Sequence, residues 1–167
     1  MWCVVHVKDR GKQNAENFIA SVLSKNLYAR CFHLTRIRRK KYEGQWRTVY
    51  EDLLPGYIFI DTDQPDRVYK ELKRASGPKL LFSSDEYVAA MEQYESNLME
   101  KLADNNGIIG MSVVRRIDNG RVEYLSGPLL DIGDRVKKIN FHKRIAEIET
   151  NLMGRKQTLY LGIEIEN

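Results

Sequence analysis

The chain has 167 residues, 43% of them hydrophobic and 30% charged, and its formal net charge is +4. These values are typical of a soluble protein with one domain or two small ones, and no stretch approaches the roughly 20 apolar residues that a membrane helix needs. Two cysteines are too few for a disulfide framework, which argues against the small disulfide-rich class and favours free thiols in a cytoplasmic compartment.

Four strands and a helix are predicted in the N-terminal part of the chain. The first strand is apolar on both faces, which indicates a central strand and not a signal peptide. Apolar residues at helical spacing over residues 15–23 predict the helix that follows. A Glu-Gly turn at residues 43–44 separates the second and third strands, and a Pro-Gly pair at residues 55–56 precedes the fourth. The four strands cover residues 2–7, 31–37, 48–50 and 57–60.

Two further helices are predicted before the pattern changes. The second helix begins near Pro65, because proline is tolerated in the first helical turn. The third begins at Ser83, with Glu86 as its capping-box partner, and ends at the Asn-Asn-Gly of residues 105–107. The residues expected to be buried on the second helix are Val68, Tyr69 and Leu72, and those on the third are Val88, Met91, Tyr94, Leu98 and Leu102.

Alternation replaces the helical pattern after this point. Five short strands separated by turn signals indicate a small barrel, and they are predicted over residues 112–117, 121–125, 134–141, 144–150 and 158–165. The fold class is therefore α+β, with an N-terminal antiparallel sheet flanked by helices and a C-terminal five-stranded β-barrel. The predicted division is an N-terminal domain of residues 1–106, a linker of residues 107–111 and a C-terminal domain of residues 112–167.

The order of these motifs resembles the NusG family of bacterial transcription elongation factors. The first strand, its helix, the basic hairpin and the Pro-Gly-Tyr-Ile-Phe of residues 55–59 resemble the N-terminal domain of that family, called NGN. The Ser-Gly-Pro-Leu of residues 126–129, the Gly-Arg of residues 154–155 and the last strand resemble a KOW module, a small barrel similar to Src-homology-3 domains. The two halves cover nearly the whole chain in the order of the family, so the joint match is more specific than either half.

Within the family, the chain is most similar to the specialised antiterminator paralogues called LoaP. This similarity lies in residues 138–146 and in the Leu-Gly-Ile-Glu of residues 161–164. One departure concerns a turn: KOW motifs usually have a glycine where this chain has Asp134, and Gly133 stands one position earlier. We therefore expect an altered turn at this place.

The resemblance implies a protein without catalytic activity or cofactor that acts as a processive antiterminator. Its N-terminal domain is expected to bind the clamp helices of the β′ subunit of RNA polymerase, and its KOW domain a hairpin in the nascent leader RNA. One alternative is a housekeeping NusG whose KOW domain binds a termination factor or a ribosomal protein. Another is a ribosome-associated or RNA-binding KOW protein that does not act on polymerase. A monomer without membrane attachment is expected.

The aromatic strand carries the expected polymerase contact. Alternation puts Tyr57 and Phe59 on one face and Ile58 and Ile60 on the other. If the helices pack on the isoleucine face, the two rings are either an uncovered interface or simply part of the core. The resemblance favours the interface, because it implies that His6, Tyr57 and Phe59 contact the clamp helices.

The rising arm of the N-terminal hairpin contains a basic run. Such a density of charge is either a solvated tip or an anion-binding finger. The resemblance implies a location near upstream DNA, where phosphate contacts add affinity that is blind to sequence. The candidate residues are Arg36, Arg38, Arg39, Lys40 and Lys41.

A second group of cations lies in the C-terminal domain. Duplex RNA is read largely through phosphates and shape, so a cationic loop matters more than an aromatic platform. The aromatic residues Tyr124, Phe141 and Tyr160 form no cluster of the kind that stacks single-stranded bases, which favours a hairpin over a single strand. The candidate RNA-binding residues are Lys137, Lys138, His142, Lys143 and Arg144, with Arg155 and Lys156 expected nearby in a later turn.

A zinc site is the remaining candidate, with Cys3, His6, Cys31 and His33 as potential ligands. Cys3 and His6 are three residues apart on a strand and so face opposite sides, whereas metal ligands must converge. No order of Ser, His and Asp, no phosphate loop and no pair of carboxylates typical of a catalytic site is found. We therefore predict no metal, cofactor or catalytic residue.

Overall fold

The computed structural model describes residues 2–7, 12–75, 88–152 and 154–166. The chain forms two compact units. Unit 1 comprises Met1–His33, Leu54–Asn97 and Leu152–Arg155, and unit 2 comprises Leu34–Leu53, Leu98–Asn151 and Lys156–Asn167. The basic hairpin thus lies in the same unit as most of the C-terminal strands, whereas the sequence assigned it to the N-terminal domain. The functional division at residues 107–111 stays a prediction.

Unit 1 contains a four-stranded sheet with two helices. The strands follow the order β2-β5-β1-β6, and each neighbouring pair is antiparallel. They are β1 (Trp2–His6), β2 (Arg30–Phe32), β5 (Tyr57–Asp61) and β6 (Val88–Ala90). The helices are α1 (Lys12–Val22) and α2 (Pro65–Arg74). The predicted central strand and the predicted start of α2 at Pro65 are confirmed.

One face of this sheet forms the core of unit 1. Alternation along β1 and β5 turns Cys3, Val5, Ile58 and Ile60 to the same side. There they pack with the apolar residues of α1 and α2, among them Ala15, Ile19, Val68 and Leu72. The predicted packing of the helices on the isoleucine face is confirmed.

Helix α3 (Gln93–Leu102) begins later than the sequence indicates. The structure places Val88 in β6, which pairs with β1, and a strand of three residues is too short for its periodicity to be detected. The predicted start at Ser83 and its partner Glu86 lie outside the described residues. The predictions that Tyr69 and Tyr94 are buried are wrong, because these residues are 43% and 54% exposed.

Unit 2 contains a three-stranded and a five-stranded sheet. The strands of the smaller sheet, in the order β4-β3-β7, are β3 (Thr35–Tyr42), β4 (Gln45–Asp52) and β7 (Ile108–Ile109). The larger sheet has the order β10-β11-β12-β8-β9. Its strands are β8 (Ser112–Arg116), β9 (Val122–Ser126), β10 (Val136–Asn140), β11 (Ile145–Leu152) and β12 (Arg155–Glu166). The five predicted C-terminal strands are therefore observed.

The hairpin of β3 and β4 is longer than predicted and has a tight turn. Glu43 and Gly44 both have positive φ, 50° and 80°, as a two-residue turn that matches the twist of its strands requires. The single strand predicted over residues 31–37 is two strands, because the chain leaves the sheet of unit 1 after Phe32 and enters the smaller sheet of unit 2 at Thr35.

A close backbone approach joins this hairpin to β12 within unit 2. A Cβ atom at Gly162 would lie 2.2 Å from the carbonyl oxygen of Ile37 and 2.8 Å from the Cα of Arg38. Real Cβ atoms do not approach other atoms so closely, so only glycine allows β3 and β12 to meet here. The glycine therefore determines where the hairpin lies on the larger sheet.

The described helices are short. The longest, α1, has 11 residues, and none of the helices in the described ranges combines the length and the apolar character required to cross a bilayer.

We expect Gly162→Ala to lower the free energy of unfolding by about 1–3 kcal/mol, the usual cost of adding an atom to a filled space. The backbone of β3 would have to move, because the contacted atoms are backbone atoms. Urea unfolding followed by circular dichroism measures the change. Gly110→Ala is the matched control, since a Cβ there meets no atom within 4 Å. Equal unfolding midpoints for the two variants would contradict the close approach.

Candidate nucleic-acid interface

The aromatic side chains of β5 and β1 lie on the sheet face opposite the helices, in unit 1. Phe59 has an exposed fraction of 0%, and its ring lies 5.6 Å from that of Trp2 and 6.0 Å from that of Phe32. Trp2 and Phe32 meet edge to face at 4.9 Å. The three rings form one aromatic cluster, and such pairs stabilise a fold beyond the area that they bury.

The other two predicted polymerase-binding residues stack on each other. The rings of His6 and Tyr57 are 4.6 Å apart and nearly parallel, with an interplanar angle of 13°. Tyr57 is only 9% exposed, whereas His6 is half-buried. The backbone beside them is closely packed, because Val7 donates a hydrogen bond of 2.7 Å to the carbonyl of Gly56.

The expectation that Tyr57 and Phe59 form an uncovered surface is wrong in this structure. Alternation correctly separated the rings from Ile58 and Ile60, but it could not show what encloses the second face. Phe59 contacts aromatic residues of β1 and β2, and one of them, Phe32, stands in a three-residue strand whose pairing with β5 the sequence did not reveal. A direct role of these two rings in binding polymerase stays a prediction.

The basic run of β3 is engaged inside unit 2. Arg36 donates to the Glu51 carboxylate at 3.2–3.3 Å and to the carbonyl of Tyr160 at 3.0 Å. Arg38 lies 3.7 Å from the same carboxylate, and it donates to the carbonyl of Lys143 at 3.5 Å. Both arginine side chains are only 14% exposed. Arg36 and Arg38 therefore belong neither to a solvated tip nor to an anion-binding finger, the two alternatives that the sequence left open.

The other three cations of the run are more accessible. Arg39 donates twice to the Glu164 carboxylate at 3.2 Å, and the Lys40 ammonium lies 3.8 Å from Glu51. Lys41 is exposed, and its ammonium lies 5.8 Å from the ring centre of Trp46. Within the described residues, Lys41 is therefore the one candidate of this run that has no carboxylate at ion-pair distance.

Trp46 also contacts a cation of the turn between β10 and β11. The Arg144 guanidinium carbon lies 4.2 Å from the centre of the Trp46 ring, a distance typical of a cation–π contact. Arg144 has a positive φ of 55°, and its carbonyl accepts a hydrogen bond of 3.1 Å from the Ile163 amide. The structure thus brings a cation of the N-terminal hairpin, Lys41, and one of the C-terminal turn, Arg144, to the same ring.

The strand β10 and the turn after it carry exposed lysines. Lys137, Lys138 and Lys143 are exposed, as is His142. Within the described residues no carboxylate lies at ion-pair distance from these three lysines. The turn is held by Asn140, whose side-chain oxygen accepts a hydrogen bond of 2.9 Å from the Lys143 amide. These predicted RNA-binding residues are therefore available to an external anion.

Arg155 and Lys156 do not lie beside that turn. They are the first residues of β12, which follows β11. Residues 141–144 precede β11, so the eight residues of that strand lie between the two groups. At the rise of an antiparallel strand this is a distance of roughly 25 Å. Lys156 lies instead 3.8 Å from Glu149. The expectation of a single cluster is wrong, because the turns before and after β11 lie at opposite ends of that strand.

The structure also adds residues that the sequence did not single out. Arg116 lies 3.7 Å from the centre of the Phe141 ring, and Arg121 lines a cavity together with Lys137 and Lys138. No periodic signal marks such residues, because they come from different strands of a curled sheet.

Gly133 has a packing role, since a Cβ there would lie 2.5 Å from the Tyr124 ring. Glycine is therefore required at position 133, because any side chain there would collide with the Tyr124 ring.

The four residues considered for zinc are separated by the fold of unit 1. Cys3 lies in the helix-facing core, His6 stacks on Tyr57, and His33 lies 3.0 Å from Glu16. Burial raises the pKa of Cys3 to about 11 and that of Cys31 to about 12, which disfavours the thiolate that binds metals. Among the described residues, no three His, Cys, Asp or Glu side chains are grouped closely enough to hold a metal ion.

The similarities to known proteins are to solved structures. A scan of protein-family models found no match, and a search of curated proteins found none either. Among solved structures, the chain is similar to that described as "Domain interaction in Thermotoga maritima NusG", with 18% identity over 96% of this chain and 92% of that chain. The TM-score is 0.39. A likeness of this degree supports no inference about fold or activity.

We expect Phe59→Ala to lower the free energy of unfolding by about 3–5 kcal/mol, the usual cost of removing a buried aromatic ring. Calorimetric or denaturant unfolding of the whole chain measures it. Tyr50→Ala is the control, because the Tyr50 side chain is 66% exposed and its removal should change stability by no more than about 0.5 kcal/mol. A loss at Phe59 no larger than that at Tyr50 would show that the aromatic face is open in solution.

Proposed function

We propose that this chain is a NusG-type transcription factor without enzymatic activity, and that it acts as an antiterminator. In this proposal the C-terminal domain binds a hairpin of the nascent RNA while the N-terminal domain binds RNA polymerase. The observation that carries the proposal is the separation of the cations in unit 2. Arg36 and Arg38 are engaged internally, whereas Lys137, Lys138 and Lys143 are exposed and without a carboxylate partner among the described residues.

The geometry of these lysines suits a structured RNA. Ammonium groups on a short strand and on the tight turn after it project outward, as phosphate binding requires, and each phosphate that they neutralise releases counterions. Double-stranded RNA offers phosphates and 2′-hydroxyls but few accessible base edges, so a hairpin stem is recognised mainly by shape. Exposed Lys41 and Arg47 near the tip of the β3–β4 hairpin are the corresponding candidates for upstream DNA.

The polymerase contact requires a different assignment from the one that the sequence favoured. Phe59 is enclosed by Trp2 and Phe32, so we assign its ring to packing. The accessible member of the predicted trio is His6, which is half-buried beside Tyr57. We therefore propose that polymerase contacts the edge of the sheet face at His6, and that Tyr57 positions the imidazole.

The RNA half of the proposal predicts a salt-dependent loss of binding on replacing the open lysines. A triple variant with Lys137→Ala, Lys138→Ala and Lys143→Ala should bind hairpin RNA more weakly. The slope of log affinity against log salt should fall by about one for each phosphate contact removed. The measurement is a gel shift of the full chain over a range of salt concentrations, with a panel of hairpins and an unstructured strand of equal length.

A matched triple variant, Lys25→Ala, Lys70→Ala and Lys101→Ala, removes the same charge at exposed positions elsewhere and should leave the slope unchanged. Equal loss in both triple variants would mean that only the net charge matters. No preference of the wild-type chain for hairpins over the unstructured strand would favour the housekeeping alternative, in which the KOW domain binds a protein.

The polymerase half predicts that core RNA polymerase captures the full chain. His6→Ala should weaken capture by at least about fivefold, the effect of one interface residue worth ~1 kcal/mol. Tyr69→Ala is the control, because Tyr69 is an exposed ring on α2, which packs on the opposite face of the sheet. A wild-type chain that binds hairpins but not polymerase would exclude the proposal in favour of an RNA-binding KOW protein.

A further inference from the structure

An open surface cavity of about 400 Å³ lies in unit 2 between the two edge strands of the five-stranded sheet. Its lining comes from β9, from the turn before β9 and from β10 with the residue after it, so the sheet curls until its two edges face each other. The residues that give the cavity its chemistry are Arg121, Tyr124, Lys137, Lys138 and Phe141.

The strand β10 is irregular where it borders this cavity. Successive residues of a regular strand face opposite sides, so Lys137 and Lys138 would be separated. The pairing of β10 with β11 shifts register between Val136 and Lys138, as a bulge does. A bulge alters the alternation of its strand, and the four consecutive residues 136–139, both lysines among them, line the cavity.

The charge of the cavity lining is positive, and Glu147 stands opposite Lys138 in the pairing of β10 with β11. None of its lining residues is acidic. Within the described residues, no carboxylate lies at ion-pair distance from Arg121, Lys137 or Lys138. A phosphate group is therefore the anion that this arrangement suits, because three separate donors can be directed at its oxygens.

The cavity also has an aromatic wall. Tyr124 lies on β9 and Phe141 directly after β10, and both line the cavity although they are 17 residues apart in sequence. The Arg116 guanidinium lies 3.7 Å from the centre of the Phe141 ring, and the Tyr124 ring packs where only the bare backbone of Gly133 leaves room. Both rings are held in place and so can stack a planar group at low entropic cost.

We propose that this cavity binds one unpaired nucleotide of the RNA, with its base against the aromatic wall and its phosphate against the cations. This inference rests on the proposed RNA-binding function and narrows it: the preferred RNA is a hairpin with a bulged or flipped nucleotide, not a continuous duplex. Unpaired bases are what proteins stack on aromatic side chains in RNA, whereas paired bases in a stem are inaccessible.

The test uses the full chain and two hairpins that are identical except for one 2-aminopurine, which is bulged in the first hairpin and paired in the second. Stacking of one base corresponds to roughly five- to hundredfold in affinity, so the bulged hairpin should bind about tenfold more tightly. The fluorescence of its 2-aminopurine should change on binding, because the base moves onto a protein ring. Equal affinities with unchanged fluorescence would overturn the inference.

Two variants test whether the preference for the bulged hairpin arises at the cavity. Phe141→Leu keeps an apolar side chain but removes the ring, and Arg121→Gln changes an exposed side chain that is not part of the core. Each should abolish the preference for the bulged hairpin, whereas the control Tyr160→Leu, which removes an exposed ring of β12, should preserve it. A preference that survives both variants would overturn the inference.

The failure of the inference can be told apart from that of the proposed function. Tight and equal binding of both hairpins would remove the nucleotide cavity but leave RNA binding intact. No binding of either hairpin would remove both. Release of the bulged hairpin by poly-glutamate, with a fluorescence change absent throughout, would assign the cavity to an acidic protein segment and contradict our proposal.

Discussion

The bare backbone of Gly162 is the constraint on which the arrangement of unit 2 depends. Because no side chain separates β12 from β3, the Ile37 carbonyl and the Arg38 Cα approach it directly. The hairpin of β3 and β4 is then close enough for Arg36 to reach the Tyr160 carbonyl and for Arg39 to reach Glu164. Further along, the same placement lets Trp46 contact Arg144. One missing Cβ atom thus allows a set of polar contacts between segments that are more than a hundred residues apart in sequence.

These contacts divide the positive charge into two kinds. The arginines of β3 have planar guanidinium groups that bind a carboxylate and a carbonyl at the same time, and they are the cations that the fold uses internally. The lysines of β10 and its turn carry compact, strongly hydrated charges on flexible stems, and they remain in solvent. A net charge of +4 says nothing of this difference. The surface available to phosphates is set by which cations have an acidic or carbonyl partner, and that depends on the tertiary structure.

The sequence predicted the features that depend on local pattern, and it did not predict those that depend on tertiary contacts. Elements with strong local periodicity were found: the central strand β1, the helix at Pro65 and all five C-terminal strands. What failed depends on partners distant in sequence. Phe59 is enclosed by rings of two other strands, and β6 is a strand because β1 lies beside it. The open lysines were predicted because an exposed cation needs no partner. The Arg144–Trp46 contact and the presence of Tyr124 and Phe141 at one cavity follow only from the folded chain.

Positive charge at the edges of the larger sheet can both prevent pairing with other strands and attract a polyanion. β9 and β10 are the edge strands, and unpaired edges invite association with other strands unless charge or shape prevents it. Lysines on β10, together with the shift in its register, are devices that discourage such pairing. The same lysines line the cavity between the edges. A positively charged edge that repels a second sheet attracts a polyanion, so protection of the edge and the RNA binding that we propose do not compete for residues at this place. In the proposed complex the aromatic side chains add selectivity, because phosphate attraction alone does not distinguish a stem from an unpaired nucleotide.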